Sequence, residues 1–378
     1  MIYLDNAATT FPKPDIVYET MDAMARNNAV NAGRGSYKCA REASKLITET
    51  KQQIRALLHL DISSSIVFAP SITIALNQIV NGLLLPEGAT VYLSPYEHNA
   101  VARTIFLLSK SKKIKIRELP LKEDTLEIDL DKTKYEFSKD NPNVVFCTHI
   151  SNVTGYVLPI KEIFHEAKKY GSITVLDSAQ SLGLIDIVAQ ELKVDIVAFA
   201  GHKTLYGPFG IGGFANVSGI PLDVFFAGGT GSDSLNLEMP TSGEAKFEPA
   251  SINIVAVAGL NAALKAVNSE QILAHERNLT KYLIQKLKQI KGLKVYDTYP
   301  EEKQVGIVSF VAEDINSEDI GIILDEDFNI AVRTGFHCAP LIHKYLKDEN
   351  RLGTVRVSVS QFTTEDEIDK LIDALKEI

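Results

Sequence analysis

Apolar runs of four to six residues alternate with longer amphipathic stretches through much of the chain. Ile66-Val67-Phe68 precedes a helical pattern from Thr73 to Leu85, and Val91-Tyr92-Leu93 precedes one from Asn99 to Leu108. Val144-Val145-Phe146-Cys147 precedes a third, from Ile160 to Tyr170. Ile173-Thr174-Val175-Leu176 and Ile196-Val197-Ala198-Phe199 follow as further strands. Runs that are apolar at successive rather than alternate positions predict strands buried on both faces. Strands alternating with helices predict an α/β domain with a mostly parallel sheet.

The last third changes character. Ala256–Ala266 and Ile272–Ile290 read as long helices. Two β-branched runs, Val305–Val311 and Val355–Val359, come next, and a helix from Thr364 to Ile378 closes the chain, with Thr364 and Glu367 as its capping box. This predicts a large α/β domain over 15–256 and a smaller α+β domain made of 1–14 and 257–378. The segment Gly228–Gly243 is rich in Gly, Ser, Thr and Asp and reads as a long functional loop.

Composition narrows the function classes. The chain has 378 residues, 45% hydrophobic and 23% charged, with a net charge of −9 and no long run of Lys or Arg. Nucleic-acid binding is not expected. No stretch is long and apolar enough to span a membrane, and Met1–Pro14 lacks the apolar core of a secretory signal. A cytoplasmic location is the expectation. The three cysteines, Cys39, Cys147 and Cys338, are too few and too scattered for a disulfide framework or a Cys-x-x-Cys metal site.

Candidate chemistry collects at the strand ends, where open α/β sheets bind ligands. Ser71 and Thr73 follow the first strand and open a helix; His98 follows the second. Asn152, Asp177 with Gln180, and Lys203 with His202 follow the next three. Each has a bland reading: Asp177 as a helix cap, His98 as a surface histidine, Lys203 as a solvated lysine. Their convergence on one rim favours function. A buried lysine can lose its proton and form an imine with an aldehyde, and a carboxylate such as Asp177 can keep a pyridine nitrogen protonated. Gly201 and Gly207 around Lys203 are expected to let a ligand approach the backbone. Together these predict pyridoxal 5′-phosphate (PLP) on Lys203. A rival signal, Gly210-Ile211-Gly212-Gly213-Phe214-Ala215, fits a dinucleotide fingerprint but opens no helix and comes late in the fold, so nicotinamide binding is set aside.

Leu4-Asp5-Asn6-Ala7-Ala8-Thr9-Thr10, Glu97-His98-Asn99, Ser151-Asn152-Val153-Thr154-Gly155, Asp177-Ser178-Ala179-Gln180 and Gly201-His202-Lys203 occur in this order. With Arg333-Thr334-Gly335-Phe336-His337-Cys338-Ala339-Pro340, they resemble the cysteine desulfurases of the class V aminotransferase type, in the group with selenocysteine lyase-like members. The resemblance spans nearly the whole chain. It implies fold type I of the PLP enzymes, with a seven-stranded sheet in the large domain. It makes Lys203 the Schiff-base lysine, Asp177 the partner of the pyridine nitrogen, Gln180 the donor to the phenolic oxygen, and His98 the ring-stacking histidine. Thr73 and His202 become phosphate ligands, with Ser251 reaching a phosphate across a homodimer interface. Asn152, Arg333 and Arg356 become substrate contacts, and Cys338 the persulfide-forming thiol. Its polar, loop-forming neighbours Thr334, Gly335 and His337 favour an accessible thiol over a buried one. A sulfur-acceptor protein and a place in iron–sulfur cluster assembly are also implied.

Two departures stand out. Ala200 stands where the family often has Ser, and Lys246-Phe247-Glu248-Pro249-Ala250-Ser251 stands where Arg-Phe-Glu-Ala-Gly-Thr is common. Ala250 in place of Gly bears on the local backbone. A selenocysteine lyase or other PLP β-lyase, and a non-catalytic sulfur-trafficking partner, are the alternatives.

Overall fold

The computed structural model describes residues 1–33, 35–231, 235–297 and 299–378, so part of the expected loop 228–243 lies outside the described residues. The chain opens with β1 (Ile2–Tyr3), α1 (Asp15–Asn27) and α2 (Lys38–Leu57). It continues through β2 (Ser65–Ala69), α3 (Ile72–Gly82), β3 (Thr90–Leu93), α4 (Asn99–Ser111), β4 (Lys115–Glu118), α5 (Leu130–Lys139) and β5 (Val144–Thr148). Next come α6 (Ile160–Lys168), β6 (Ile173–Asp177), β7 (Ile196–Ala200) and β8 (Gly212–Asn216). Strands β2 to β8 form one seven-stranded sheet of order β2-β8-β7-β6-β5-β3-β4. It is parallel except for β8, which runs antiparallel to both of its neighbours. The α/β architecture predicted from the apolar runs is present.

Successive side chains of each central strand enter opposite apolar layers. Val67, Val91, Phe146, Val175 and Ala198 pack on one face with Leu76 and Ile79 of α3 and Val101 and Ile105 of α4. Phe68, Tyr92, Val145, Leu176 and Phe199 pack on the other with Ile54 of α2 and Ile163 of α6. Both faces are closed, which is why these runs are apolar at every position. The apolar pattern did not predict α1, α2, β4, α5 or β8. β4 is an exposed edge strand of alternating character, and β8 carries the two glycines of the rival fingerprint. A Cβ on Gly212 would come within 2.8 Å of the Phe199 carbonyl, and one on Gly213 would collide with the Val67 carbonyl. Those glycines let β8 thread between β2 and β7.

The rest of the chain forms α7 (Ile254–Ala266), α8 (Ser269–Leu287), β9 (Leu293–Val295), β10 (Ile307–Ala312), α9 (Ser317–Glu326), β11 (Ile330–Ala331) and β12 (Arg333–Gly335). It ends with α10 (His343–Leu346), β13 (Thr354–Ser358) and α11 (Glu365–Glu377). β12, β13, β10 and β9 make an antiparallel sheet in that order, and β1 pairs in parallel with β11. Phe310, Val355 and Val357 pack with Leu283, Leu324 and Leu371 as a separate apolar cluster. α11 starts with the expected capping box: the Glu367 N–H donates to Thr364 Oγ1 at 3.3 Å, and the Thr364 N–H donates to Glu367 Oε2 at 2.9 Å. The expected division after residue 256 falls inside α7, whose Val257 and Leu260 belong to the large sheet's cluster.

Candidate active site

Backbone hydrogen bonding between parallel strands aligns their carboxyl ends, and the polar residues just beyond them share one rim. Asp177, the last residue of β6, is buried; its Oδ1 accepts the Ala179 N–H at 2.9 Å. Burial pushes this carboxyl up from its ordinary value, while the Ala179 N–H and then Lys203 pull it down. Lys203 lies in the turn after β7. Burial lowers its amine to about 8 against the pull of Asp177, with Arg356 and Arg333 adding to the lowering. His98 caps α4, its Nδ1 accepting the Ala100 N–H at 3.0 Å. Burial, then Lys203, Arg333, Arg356 and Arg103, lower it to about 3, so the ring stays neutral at ordinary pH. Gln180 Nε2 donates to the Ala7 carbonyl at 2.8 Å. His202 stacks on Phe209 with centroids 4.6 Å apart.

The small sheet faces this rim with an arrangement that a purely structural sheet would avoid. Arg333 of β12 lies directly opposite Arg356 of β13. Like charges in register repel, and each guanidinium has a polar partner. Arg333 Nη2 donates to Cys338 Sγ at 3.2 Å. Arg356, 1% exposed, donates from Nη2 to Asp5 Oδ1 at 2.5 Å and from Nη1 to the Asn152 carbonyl at 2.9 Å. Cys338 and His337 both adopt left-handed backbone, with φ 57° and 45°. Two hydrogen bonds tie this turn to the rim: the Asn99 N–H donates to the Cys338 carbonyl at 2.6 Å, and Asn152 Nδ2 donates to the His337 carbonyl at 2.7 Å. The site therefore joins Lys203, Asp177, His98 and Asn152 from one sheet to Arg333, Cys338 and Arg356 from the other.

Several buried polar atoms here have no hydrogen-bond partner among the described residues: Asn152 Oδ1, His149 Nδ1, His202 Nδ1 and Arg356 Nε. Buried polar groups are normally satisfied, and a bound ligand is what such a set calls for. A family model described as aminotransferase class V matches residues 2–371. The chain belongs to that family, in its cysteine desulfurase branch. This cysteine desulfurase relative is 32% identical to a Halalkalibacterium halodurans protein named "probable cysteine desulfurase", with all of this chain and 92% of that one covered. It is 30% identical to the cysteine desulfurase of Pectobacterium carotovorum, covering 93% of it. It is similar to the apo structure of the cysteine desulfurase from Thermococcus onnurineus, with a TM-score of 0.91, 27% identity, and coverage of 100% of this chain and 94% of that one.

Two expected residues are exposed. Thr73 is exposed in the first turn of α3, which Ser71 caps by accepting the Ile74 N–H at 3.3 Å. Ser251 is exposed, and its Oγ accepts from Asn31 Nδ2 at 2.9 Å. Two local expectations need correction. The space beside Gly201 and Gly207 is filled by protein: a Cβ on Gly201 would come 2.7 Å from the Ile211 carbonyl, and one on Gly207 2.8 Å from the Gly201 carbonyl. Those glycines fold the Lys203 turn; they do not admit a ligand. The neighbours of Cys338 are also less loop-like than expected. Thr334 and Gly335 are in β12, and His337 is buried with Nε2 at 2.8 Å from Thr354 Oγ1. Cys338 itself is half-buried.

Sequence reasoning missed Asp5 as the partner of Arg356, and Glu97. Asp5 stood in the quoted Leu4–Thr10 stretch, but pairing across the chain leaves no local signal. Glu97 is buried; its Oε1 accepts from Ser94 Oγ and from the Thr148 N–H, each at 2.6 Å, so it ties the end of β3 to that of β5. Burial pushes it up to about 8.

Proposed function

We propose that this chain is a PLP-dependent cysteine desulfurase that takes sulfur from L-cysteine and leaves L-alanine. The observation that carries this reading is the Arg333–Cys338 contact, on a turn that the Asn99 N–H and the Asn152 side-chain amide hold by its carbonyls against the rim that bears Lys203 and Asp177. Thiol chemistry and imine chemistry then share one site.

The residues fit the cofactor. Asp177 is a buried carboxylate with one side-chain partner from the backbone, suited to a protonated pyridine nitrogen. His98 offers a neutral ring to stack, and His202 and the start of α3 offer donors to the phosphate. When bound, PLP supplies an electron sink for charge formed at the substrate's Cα. Lys203, once its amine is free, takes the proton from Cα and returns it. Arg356 and Asn152 hold the substrate carboxylate, and Asp5 keeps the guanidinium oriented. Cys338 attacks the substrate sulfur: an S–S bond forms, the C–S bond breaks, and the carbon retains the electron pair and gains a proton. A thiol and L-cysteine thus become a persulfide and L-alanine with no external oxidant.

A homodimer, transfer of the persulfide sulfur to an acceptor protein, service to iron–sulfur cluster assembly and a cytoplasmic location belong to the same proposal. So does a division into a large domain and a smaller one built from both ends of the chain, with the boundary moved from 256 to the end of α7, supported by the pairing of β1 with β11 and by the separate cluster around Phe310. The test is L-alanine release from L-cysteine, with and without a reductant, on the wild type and on Cys338→Ala. Release that depends on Cys338 and speeds up with reductant is expected. Unchanged release from the variant would sink the persulfide role.

A further inference from the structure

Lys13 is a buried lysine, 8% exposed, that the mechanism above does not use. Its Nζ donates to Thr10 Oγ1 at 2.8 Å, to the His202 carbonyl at 2.9 Å and to Thr9 Oγ1 at 3.4 Å. All three acceptors are neutral, and among the described residues no carboxylate forms an ion pair with it. Buried lysines are normally paired with an anion. The same His202 carbonyl also receives the Thr9 hydroxyl at 3.0 Å and the Thr10 N–H at 3.2 Å. Thr10 Oγ1 reaches the next carbonyl, that of Lys203, at 3.2 Å. An N-terminal arm therefore converges on the peptide that carries Lys203. The ring nitrogen Nδ1 of the same His202 is buried and has no hydrogen-bond partner among the described residues.

We propose that Lys13 is a charged positioning residue of the phosphate cradle: its ammonium pins the Lys203 turn and strengthens anion binding beside His202. This rests on the cofactor reading above. A cation without an anion, bonded to the residue whose ring nitrogen lacks a partner, is the complement of a ligand's phosphate. Burial lowers the Lys13 amine to about 7, so it loses its charge as pH rises through neutrality. The groups that face it are Thr9 and Thr10 on its own segment, His202 and Lys203 on the turn, and Tyr18 of α1, whose hydroxyl accepts the Lys13 N–H at 2.9 Å. His202, lowered to about 3 by burial, Lys203 and Lys13, does not titrate in this range. Lys203 does, at about 8, so the test compares variants that share it.

The full chain, freed of cofactor, is titrated calorimetrically with pyridoxine 5′-phosphate, which has no aldehyde to react with Lys203. Wild type, Lys13→Met and Lys13→Arg are compared from pH 6.5 to 9. Wild type is expected to bind roughly tenfold more tightly than Lys13→Met at pH 6.5, with the ratio falling towards unity at pH 9. Lys13→Arg, charged throughout, is expected to bind tightly across the range. Should Lys13→Met fail to fold, the loss of wild-type affinity relative to Lys13→Arg as pH rises makes the same point. Parallel curves with tight binding overturn the role of Lys13 alone. Absence of binding by every form, wild type included, overturns the cofactor reading and this inference with it.

Discussion

Asp177 and Lys203 stand at and just beyond the ends of β6 and β7, with the residues of β7 all buried and backbone bonds on either side. Arg333 and Cys338 stand on a three-residue strand of half-buried residues and on the left-handed turn after it. The large sheet places its groups by backbone register and shifts their protonation by burial. The small sheet places its groups by pairing: Arg356 with Asp5, Arg333 with Cys338, the turn with Asn99 and Asn152. The first region is suited to hold a cofactor in one position, the second to hold a substrate and a reactive sulfur against it. On this contrast, damage to the rim is expected to abolish cofactor chemistry, whereas damage to the small sheet is expected to spare cofactor binding and alter sulfur transfer or substrate affinity.

The sharpest way to break the contrast is Lys203→Ala. Alanine release is expected to fall by about 10²- to 10⁴-fold or more, and borohydride is expected to fix no PLP to the chain. In the wild-type chain freed of cofactor, the amine is protonated below about 8 and neutral above it. Only the neutral amine adds to an aldehyde. The rate at which added PLP becomes fixable by borohydride should therefore climb with pH through about 8 and then level off. A rate that falls over that interval would mean that burial does not control this lysine.

On the other side, Arg333→Met should leave PLP bound and slow the reaction of Cys338 with iodoacetamide at neutral pH. A hydrogen bond to a charged donor contributes about 1.5–3 kcal/mol, so a slowing of roughly 10- to 100-fold is expected, with Arg333→Lys in between. Alkylation at the wild-type rate would separate the arginine from the thiol and reduce Arg333 to a substrate contact.

These two regions differed in how far the sequence revealed them. The centre of the large sheet was readable because its buried parallel strands are apolar at successive positions and its chemistry follows them directly; Asp177, Asn152 and Lys203 were found by their place after a run. The small sheet's strands were found at Val305–Val311 and Val355–Val359, but their pairing was not. Nothing local tells that Arg333 faces Arg356, or that Asp5 comes from the other end of the chain to neutralise one of them. The glycines misled in a related way. Gly201 and Gly207 announced close approach correctly, but the approaching group is the Ile211 carbonyl in one case and the turn's own carbonyl in the other. Helices α1, α2 and α5 were missed because no strand legible in the sequence precedes them and no motif marks them.

Asp5→Asn tests the paired half more gently. The substitution removes a charge from beside a buried guanidinium, and because Asp5 is itself partly exposed, a stability loss of about 1–3 kcal/mol is expected, below that for a fully buried pair. Its specific mark is a raised KM for L-cysteine with a smaller change in kcat. Cysteamine, which lacks the carboxylate, should show no such rise. An equal rise for both substrates would make Asp5 a stabiliser of the small sheet and not an orienter of Arg356.

The smallest effect is expected where the two regions exchange roles. The segment 244–251 covers edge strand β2: Glu244 Oε1 accepts the Ile66 N–H at 2.9 Å, Glu248 Oε1 accepts the Phe68 N–H at 2.6 Å, and Lys51 bridges both carboxylates. It thus belongs to the large sheet but is held by pairing, like the small one. Directly after these anchors, Ala250 has φ 78°, where the family commonly has Gly. A Cβ in that region costs on the order of 1–2 kcal/mol. Ala250→Gly is therefore expected to relieve strain but to free the unfolded chain. The net gain should be about 1 kcal/mol or less, a Tm rise of at most a few degrees in a chain of this size. An unchanged or lowered Tm would mean that the ion-paired anchors hold this backbone without strain, and that pairing here positions as firmly as the strand register does.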